Sequence, residues 1–211
     1  MTDKKAYIFD MDGTLIDSVY ALEDGVKKYL DQEGIPYPDN IVEIITPLGY
    51  EGAAKYLQSL GLDMPIDDIV KAMKDAMIGE YQNNLPAKTF APEVIKKLHS
   101  DGKILCVLTA SPHFLTDPCL KRLGLDGLFT HIWTTDDFGL AKSDEKIYHE
   151  VAKLLGLDIC DCVFVDDNLI NIRAAKATGI GTVAVYDITT AASADEMKKI
   201  ADRYIYSFDE F

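Results

Sequence analysis

Tyr7 to Asp17 reads YIFDMDGTLID, and the rest of the chain is organised around it. Tyr7, Ile8 and Phe9 form a short apolar run of β-favouring residues, followed at once by Asp10, Asp12 and Gly13. The pattern predicts a buried strand that delivers both carboxylates at its carboxyl end. In open parallel α/β sheets that end is where ligands bind. A carboxylate can attack phosphorus, because the acyl phosphate it forms is labile and water then releases the phosphate. A second carboxylate nearby can protonate the leaving oxygen and later deprotonate that water. Asp10 is thus read as a nucleophile and Asp12 as an acid/base. D-x-D-G is also a common loop or calcium-type pattern, and Asp-Gly is a turn signal. An EF-hand is excluded, since no ligand series and no Glu at the twelfth loop position follow.

Outward from this stretch the strand signal gives way to helical periodicity. Val19, Leu22, Val26, Tyr29 and Leu30 recur at helical spacing, and Gly34-Ile35-Pro36 ends the run. Further helices are predicted over Asp39 to Ile45, Glu51 to Leu60 and Ile66 to Tyr81, with a break at Thr46-Pro47-Leu48-Gly49. Asn83-Asn84-Leu85-Pro86 closes the segment. From Ala91 strands and helices alternate. Strands are predicted over Lys103 to Leu108, Phe129 to Trp133, Cys162 to Val165, Gly181 to Val185 and Tyr204 to Tyr206. Helices are predicted over Pro92 to Ser100, through Cys119 to Leu123, Glu145 to Leu155 and Ile170 to Thr178. Such alternation implies right-handed crossovers and a mainly parallel sheet. The expected fold is α/β, a Rossmann-like core over residues 1–14 and 86–211 with an inserted helical cap over 15–85.

Composition bounds the function. The 211 residues fit one large α/β domain with an insertion, and 48% hydrophobic content suffices for a core. A formal net charge of −14 argues against nucleic-acid or anionic-membrane binding, which need a basic footprint. No apolar run approaches the ~18 residues of a membrane span. MTDKKAYIFD is not read as a signal peptide, because Asp10 interrupts the apolar stretch. A soluble, cytoplasmic protein is expected, with a monomer as one plausible state. Cys106, Cys119, Cys160 and Cys162 lack zinc-site spacing and are read as reduced thiols outside the chemistry. His99, His113, His131 and His149 show no metal-ligand pairing; of these His113 alone stands near a loop that could line the site.

Three downstream stretches carry chemistry. Val107 to Ser111, VLTAS, is a strand ending in a hydroxyl residue, which sets that hydroxyl and neighbouring amides at the same sheet edge as Asp10. Lys142 precedes a helix in AKSDEKIYHEV, where a loop lysine is ordinarily solvated. Val163 to Gly179, VFVDDNLINIRAAKATG, is an apolar strand ending in Asp166 and Asp167. Adjacent carboxylates repel one another unless a cation or proton compensates, and a hard divalent ion with oxygen ligands, Mg²⁺, answers that need.

Together the four stretches resemble, in order, the motifs of the haloacid dehalogenase-like hydrolases, in the branch of phosphoglycolate phosphatase-like and β-phosphoglucomutase-like members. The resemblance covers the whole chain and implies a Rossmann-like core with a mobile cap. It implies that Thr109 binds phosphate with the Ala110 amide and Ser111, and that Lys142 offsets the charge of nucleophile and phosphate. Ser143 stands where the family usually has proline, and Lys146, one turn on, competes for the role. Asp167 aligns with the usual direct metal ligand and Asp166 with the position before it. Asp10 and the Asp12 carbonyl complete the metal's protein ligands. Asn171 replaces a frequent aspartate. Dehalogenase and phosphonatase branches lack an acidic residue at the position of Asp12.

The reading is a Mg²⁺-dependent phosphomonoester phosphatase working through a phospho-aspartate on a small phosphorylated metabolite. A sugar-phosphate mutase, and a regulatory protein that merely binds a phosphorylated ligand, are the alternatives. The only arginines are Arg122, Arg173 and Arg203, so the insert has none for bidentate grip on a second anionic group. Leu48, Gly49 and Tyr50 form an apolar break that either selects substrate or packs the insert's own core. A sugar phosphate or nucleoside monophosphate is expected ahead of bisphosphates.

Overall fold

The computed structural model describes residues 4–18, 21–45 and 48–211, with the backbone alone at 21–24 and 43. Val19, Thr46 and Pro47 of the stretches read above lie outside the described residues, as does the Leu22 side chain.

The chain divides into two compact units, Met1–Asp17 with Pro86–Phe211, and Ser18–Leu85. The first is built on six strands: β1 (Ala6–Phe9), β2 (Ile104–Thr109), β3 (His131–Thr134), β4 (Cys162–Asp166), β5 (Gly181–Val185) and β6 (Arg203–Ile205). Their order is β3-β2-β1-β4-β5-β6, and each neighbouring pair is parallel. β1 lies between β2 and β4, so the chain leaves it toward one side and returns on the other. Asp10, directly after β1, stands where the strand order reverses, the position at which open parallel sheets bind ligands.

The strands are apolar because they are covered on both faces. Ala6 and Ile8 pack with Cys106, Leu108, Cys162 and Phe164 in one cluster, while Tyr7 and Phe9 turn to the other face, where they meet Phe129 and Phe211. β1 and β4 are buried throughout, which holds their carboxyl ends in register across the pairing of Phe9 with Val165.

The second unit holds α1 (Ala21–Glu33), α2 (Ile41–Ile45), α3 (Gly49–Ser59) and α4 (Ile66–Asn83). Its core includes Val26 and Leu30 of α1, Ile41 and Ile45 of α2, Ala54 and Leu57 of α3, and Ile69 and Met73 of α4. These fall at helical spacing, so each helix turns one apolar stripe inward. α3 begins at Gly49, two residues before the start expected from sequence; Gly49 has φ +64 and so supplies the left-handed turn of entry.

Back in the first unit follow α5 (Ala91–Ser100), α6 (His113–Arg122), α7 (Thr135–Phe138), α8 (Lys146–Leu154), α9 (Leu169–Ala177) and α10 (Ala194–Ile200). α8 buries Ile147, Tyr148, Val151 and Ala152 on one face against the sheet. α7 and α10 are additions to the elements read from the sequence.

The two connections between the units leave the first side by side. The Asp17 amide donates to the Pro86 carbonyl at 3.0 Å and the Lys88 amide to the Leu15 carbonyl at 2.9 Å, around an antiparallel bridge between Ile16 and Ala87.

Candidate active site

The site is built from three strand ends, those of β1, β2 and β4, and the loop that carries Lys142. The Asp10 amide donates to the Val165 carbonyl at 2.8 Å, extending the β1–β4 ladder by one residue and burying the Asp10 carboxylate. The chain then coils tightly. The amides of Leu15 and Ile16 both point at the Met11 carbonyl, at 2.8 and 3.0 Å, and Gly13 takes φ +75. Thr14 Oγ1 donates to Asp167 Oδ1 at 3.1 Å, tying this coil to the end of β4.

Lys142, before α8, is only 6% exposed, with its ammonium 2.5 Å from Asp10 Oδ1 and 2.9 Å from Asp166 Oδ2. The Tyr148 hydroxyl, in the first turn of α8, donates to the Lys142 carbonyl at 2.6 Å and so fixes the loop. Lys146 is exposed, and its amide donates to Asp144 Oδ1. Of the two lysines the structure therefore brings Lys142 to the nucleophile and turns Lys146 to solvent.

Asp166 is fully buried and heavily engaged. Oδ1 accepts from the Asn168 amide at 2.7 Å, and Asn171 Nδ2 lies 3.2 and 3.1 Å from the two oxygens. Asn171 holds a carboxylate in place where an aspartate would repel it. Asp167, the next residue, accepts from the Thr14 hydroxyl and faces Gly13.

Carboxylate oxygens of Asp10, Asp166 and Asp167 lie within 4.8 Å of one another, all buried. Burial, which penalises the charged form, raises Asp10 well above the ordinary carboxylate range, and Asp166 and Asp167 add to this while Lys142 opposes it. Burial, then the charges of Asp166 and Asp187, push Asp167 up to about 7. Burial works against the Lys142 charge, but Asp10 and Asp166 outweigh it and hold the ammonium above its usual range. Three carboxyl groups crowd one ammonium, and burial with mutual repulsion disfavours their ionised forms unless a cation joins them. An all-oxygen donor set of this kind fits a hard divalent cation such as Mg²⁺.

On the other side of β1, Val107 pairs with Phe9, which sets Thr109 at the same edge as Asp10. Thr109 is buried, and its Oγ1 accepts from the Ser111 amide at 3.0 Å. Ser111 Oγ donates to Asp12 Oδ2 at 2.6 Å, so its hydroxyl reaches the second carboxylate of the first motif. Ala110 is exposed at this loop. His113 is turned to acidic partners, Asp117 at 3.0 Å and Asp137 at 3.0 Å, which raise its imidazole above the usual range, Asp117 foremost.

In the helical unit Leu48 and Tyr50 are 46% and 40% exposed, and the Lys74 ammonium lies 5.4 Å from the Tyr50 ring centre. They are not among the residues of that unit's apolar core.

Carboxylates at a switch point, a hydroxyl loop beside them and a buried lysine thus gather at one edge of the parallel sheet. The chain belongs to the haloacid dehalogenase-like hydrolases, whose family model matches residues 4–179. It is 31% identical over 206 residues to a phosphoglycolate phosphatase of Neisseria meningitidis serogroup A, covering 91% of this chain and 86% of that one. It is 26% identical to the validoxylamine A 7'-phosphate phosphatase of Streptomyces hygroscopicus subsp. limoneus, covering 92% and 93%. In fold it is similar to a candidate β-phosphoglucomutase from Thermotoga maritima, with TM-score 0.83 at 21% identity, covering 95% and 94%. The phosphoglycolate phosphatase relative sets it in the phosphoglycolate phosphatase-like branch, as a hydrolase of phosphatase type.

Proposed function

We propose that this enzyme releases phosphate from a small phosphorylated metabolite through a phospho-aspartate at Asp10, with Mg²⁺ as cofactor. The observation that carries the reading is the buried Lys142 ammonium 2.5 Å from Asp10 Oδ1, beside two further carboxylates. A lysine so placed orients the nucleophile, opposes the effect of burial on its charge, and offsets the charge of an incoming phosphoryl group.

In the first half-reaction an Asp10 oxygen bonds to phosphorus as the bond from phosphorus to the leaving oxygen breaks. Asp12 gives its proton to that oxygen. In the second, Asp12 takes a proton from water, the water oxygen attacks phosphorus, and the acyl phosphate bond breaks to return Asp10 and free phosphate. Thr109 Oγ1, the Ala110 amide and Ser111 bind phosphate oxygens. Asp10, Asp167 and the Asp12 carbonyl would hold the cation, with Asp166 behind them bracing Lys142. When bound, Mg²⁺ supplies charge neutralisation to the phosphoryl oxygens.

Residues 15–85 are read as the cap that selects the substrate. A cytoplasmic setting accompanies this reading: the four cysteines are free, and no helix among the described residues is long and apolar enough to cross a membrane.

The test is a screen of phosphorylated metabolites for phosphate release, run beside Asp10→Asn. The amide is nearly isosteric but cannot attack phosphorus, so the variant should fold and turn over at less than about one thousandth of the parent rate. A folded Asp10→Asn protein that releases phosphate at the parent rate defeats the covalent mechanism. A parent protein that forms a sugar bisphosphate and releases no phosphate is a mutase.

A further inference from the structure

Tyr148 is a fully buried phenol that takes no part in the bond changes. Its ring packs edge-on against Phe164 of β4, with ring centres 4.9 Å apart and planes at 66°. Its hydroxyl serves two acceptors from different motifs. It donates to the Lys142 carbonyl at 2.6 Å and lies 3.2 Å from the Asn171 carbonyl, so one O–H is shared between the loop before α8 and the first turn of α9.

Lys142 and Asn171 meet a second time, through their side chains. The Lys142 ammonium lies 2.9 Å from Asp166 Oδ2, and Asn171 Nδ2 donates to the same oxygen at 3.1 Å. The contacts therefore close on themselves. They run from the Tyr148 hydroxyl to the Lys142 carbonyl, along the lysine side chain to Asp166, on to the Asn171 side chain, and from the Asn171 carbonyl back to the hydroxyl. Lys142 is thus held at its backbone and at its ammonium by one ring of four residues. From that ring the ammonium reaches out to Asp10 Oδ1 at 2.5 Å.

We propose that Tyr148 is a positioning residue for Lys142: its hydroxyl closes the ring with Lys142, Asp166 and Asn171, and the closed ring keeps the ammonium at the nucleophile. Lysine carries its charge on a flexible four-carbon stem, so a fixed ammonium needs a fixed backbone as well as a partner carboxylate. Asp166 supplies the partner, and Tyr148 fixes the backbone. Without the hydroxyl two buried carbonyls lose a donor and the loop before α8 relaxes. A displacement of about 1 Å in a charged group is enough to cost roughly 10²-fold in rate. This inference rests on the role given to Lys142 above.

Tyr148→Phe keeps the aromatic ring and its packing and removes the hydroxyl alone. On the best substrate of the metabolite screen it should lower kcat by about 10- to 100-fold and leave KM within about threefold of the parent. Asn171→Ala opens the same ring at another point and should act alike. The double variant should then lose little more than the worse single variant, whereas independent defects would multiply. A tyrosine that merely supports the core would lower the thermal midpoint and leave the kcat of the folded enzyme as it was. A folded Tyr148→Phe protein with parent kcat overturns the proposal, and so does a double variant whose loss is the product of the two single losses. If Tyr148→Phe does not fold, Asn171→Ala decides: parent kcat overturns the proposal, and a loss of kcat at parent KM supports it. If neither folds, the ring supports the fold rather than the site and the proposal is overturned. Lys142→Gln separates this inference from the reading beneath it. Lys142→Gln at the parent rate, or a parent chain that releases phosphate from no substrate, overturns that reading and the inference with it. An inactive, folded Lys142→Gln beside an unaffected Tyr148→Phe overturns the inference alone.

Discussion

A Cβ on Gly13 would lie 2.7 Å from Asp167 Oδ2, closer than such atoms approach in folded proteins. Gly13 also has φ +75, so the first motif needs glycine both for its turn and for room beside the fourth motif. Gly13→Ala should push Asp167 away from Asp10 and cost about 1–2 kcal/mol of stability from the backbone alone. Mg²⁺ affinity should fall by at least about tenfold, as loss of metal-ligand orientation does. Denaturant unfolding and Mg²⁺ titration check the two halves separately. A stable Gly13→Ala protein with parent Mg²⁺ affinity would show that the close approach is incidental.

Asp12 is held by Ser111 Oγ at 2.6 Å, which orients the carboxylate proposed to protonate the leaving oxygen. Asp12→Ala should lower kcat/KM on an alkyl phosphate by about 10²–10⁴-fold, the usual range for general acid–base catalysis. An aryl phosphate with an acidic leaving group needs little protonation and should lose far less in its first half-reaction. Steady-state rates on both substrates give the comparison. Equal losses would make Asp12 a structural residue.

How much of this was legible depends on whether a feature is local in the chain. Asp10 with Asp12, and Asp166 with Asp167, each sit at the end of a fully apolar strand, where a carboxylate contributes nothing to packing and so stands out as chemistry. Thr109 and Lys142 were legible as members of ordered motifs rather than by themselves. α7 escaped because four residues are barely one turn and offer no periodicity; what marks it is a capping box, with Asp137 accepting from the Thr134 amide at 2.8 Å. α10 escaped because Met197 is its one buried residue, so it has no apolar stripe to read. Lys88 and Asp187 form an ion pair although ninety-nine residues apart in the chain, and nothing near either announces the other. The Asn171 contact with Asp166 joins the first turn of α9 to the end of β4 and could have been found by asking what satisfies a buried carboxylate.

His113 gives the fold a pH dependence with a definite sign. Its ring is bridged by Asp117 and Asp137, and these raise its pKa from 6.5 in the folded chain. A group with a raised folded pKa contributes stability that is fully present below the unfolded value, and loses it as pH rises through the folded value. The pair is 44% exposed on the histidine side, so screening should keep the contribution below about 1 kcal/mol. The parent protein should therefore lose more thermal stability than His113→Gln as pH rises from 6 through the raised folded value. NMR titration of the imidazole should place its midpoint above ~6.5. A midpoint at or below that value, with parallel stability profiles, would mean that the bridge is absent in solution.

If the helical unit selects the substrate, as proposed, the choice follows from what it presents and what it lacks. Residues 15–85 contain no arginine, the side chain best suited to a bidentate grip on a second phosphate or a carboxylate. Leu48 and Tyr50 are instead exposed beside the start of α3, outside the unit's core. An apolar residue and an aromatic ring suit a body that is neutral or weakly polar, the ring face stacking on a sugar or base. Lys55 is occupied by Glu51 at 2.6 Å, which leaves its charge already balanced. A metabolite screen should therefore rank a sugar phosphate or a nucleoside monophosphate above bisphosphates and phosphorylated dicarboxylates by kcat/KM. Tyr50→Ala should raise KM for the best substrate by about three- to thirtyfold, the worth of one aromatic contact, and leave Mg²⁺ affinity unchanged. If a bisphosphate ranked first, or if Tyr50→Ala left KM as it was, specificity would have to lie in residues of the catalytic core.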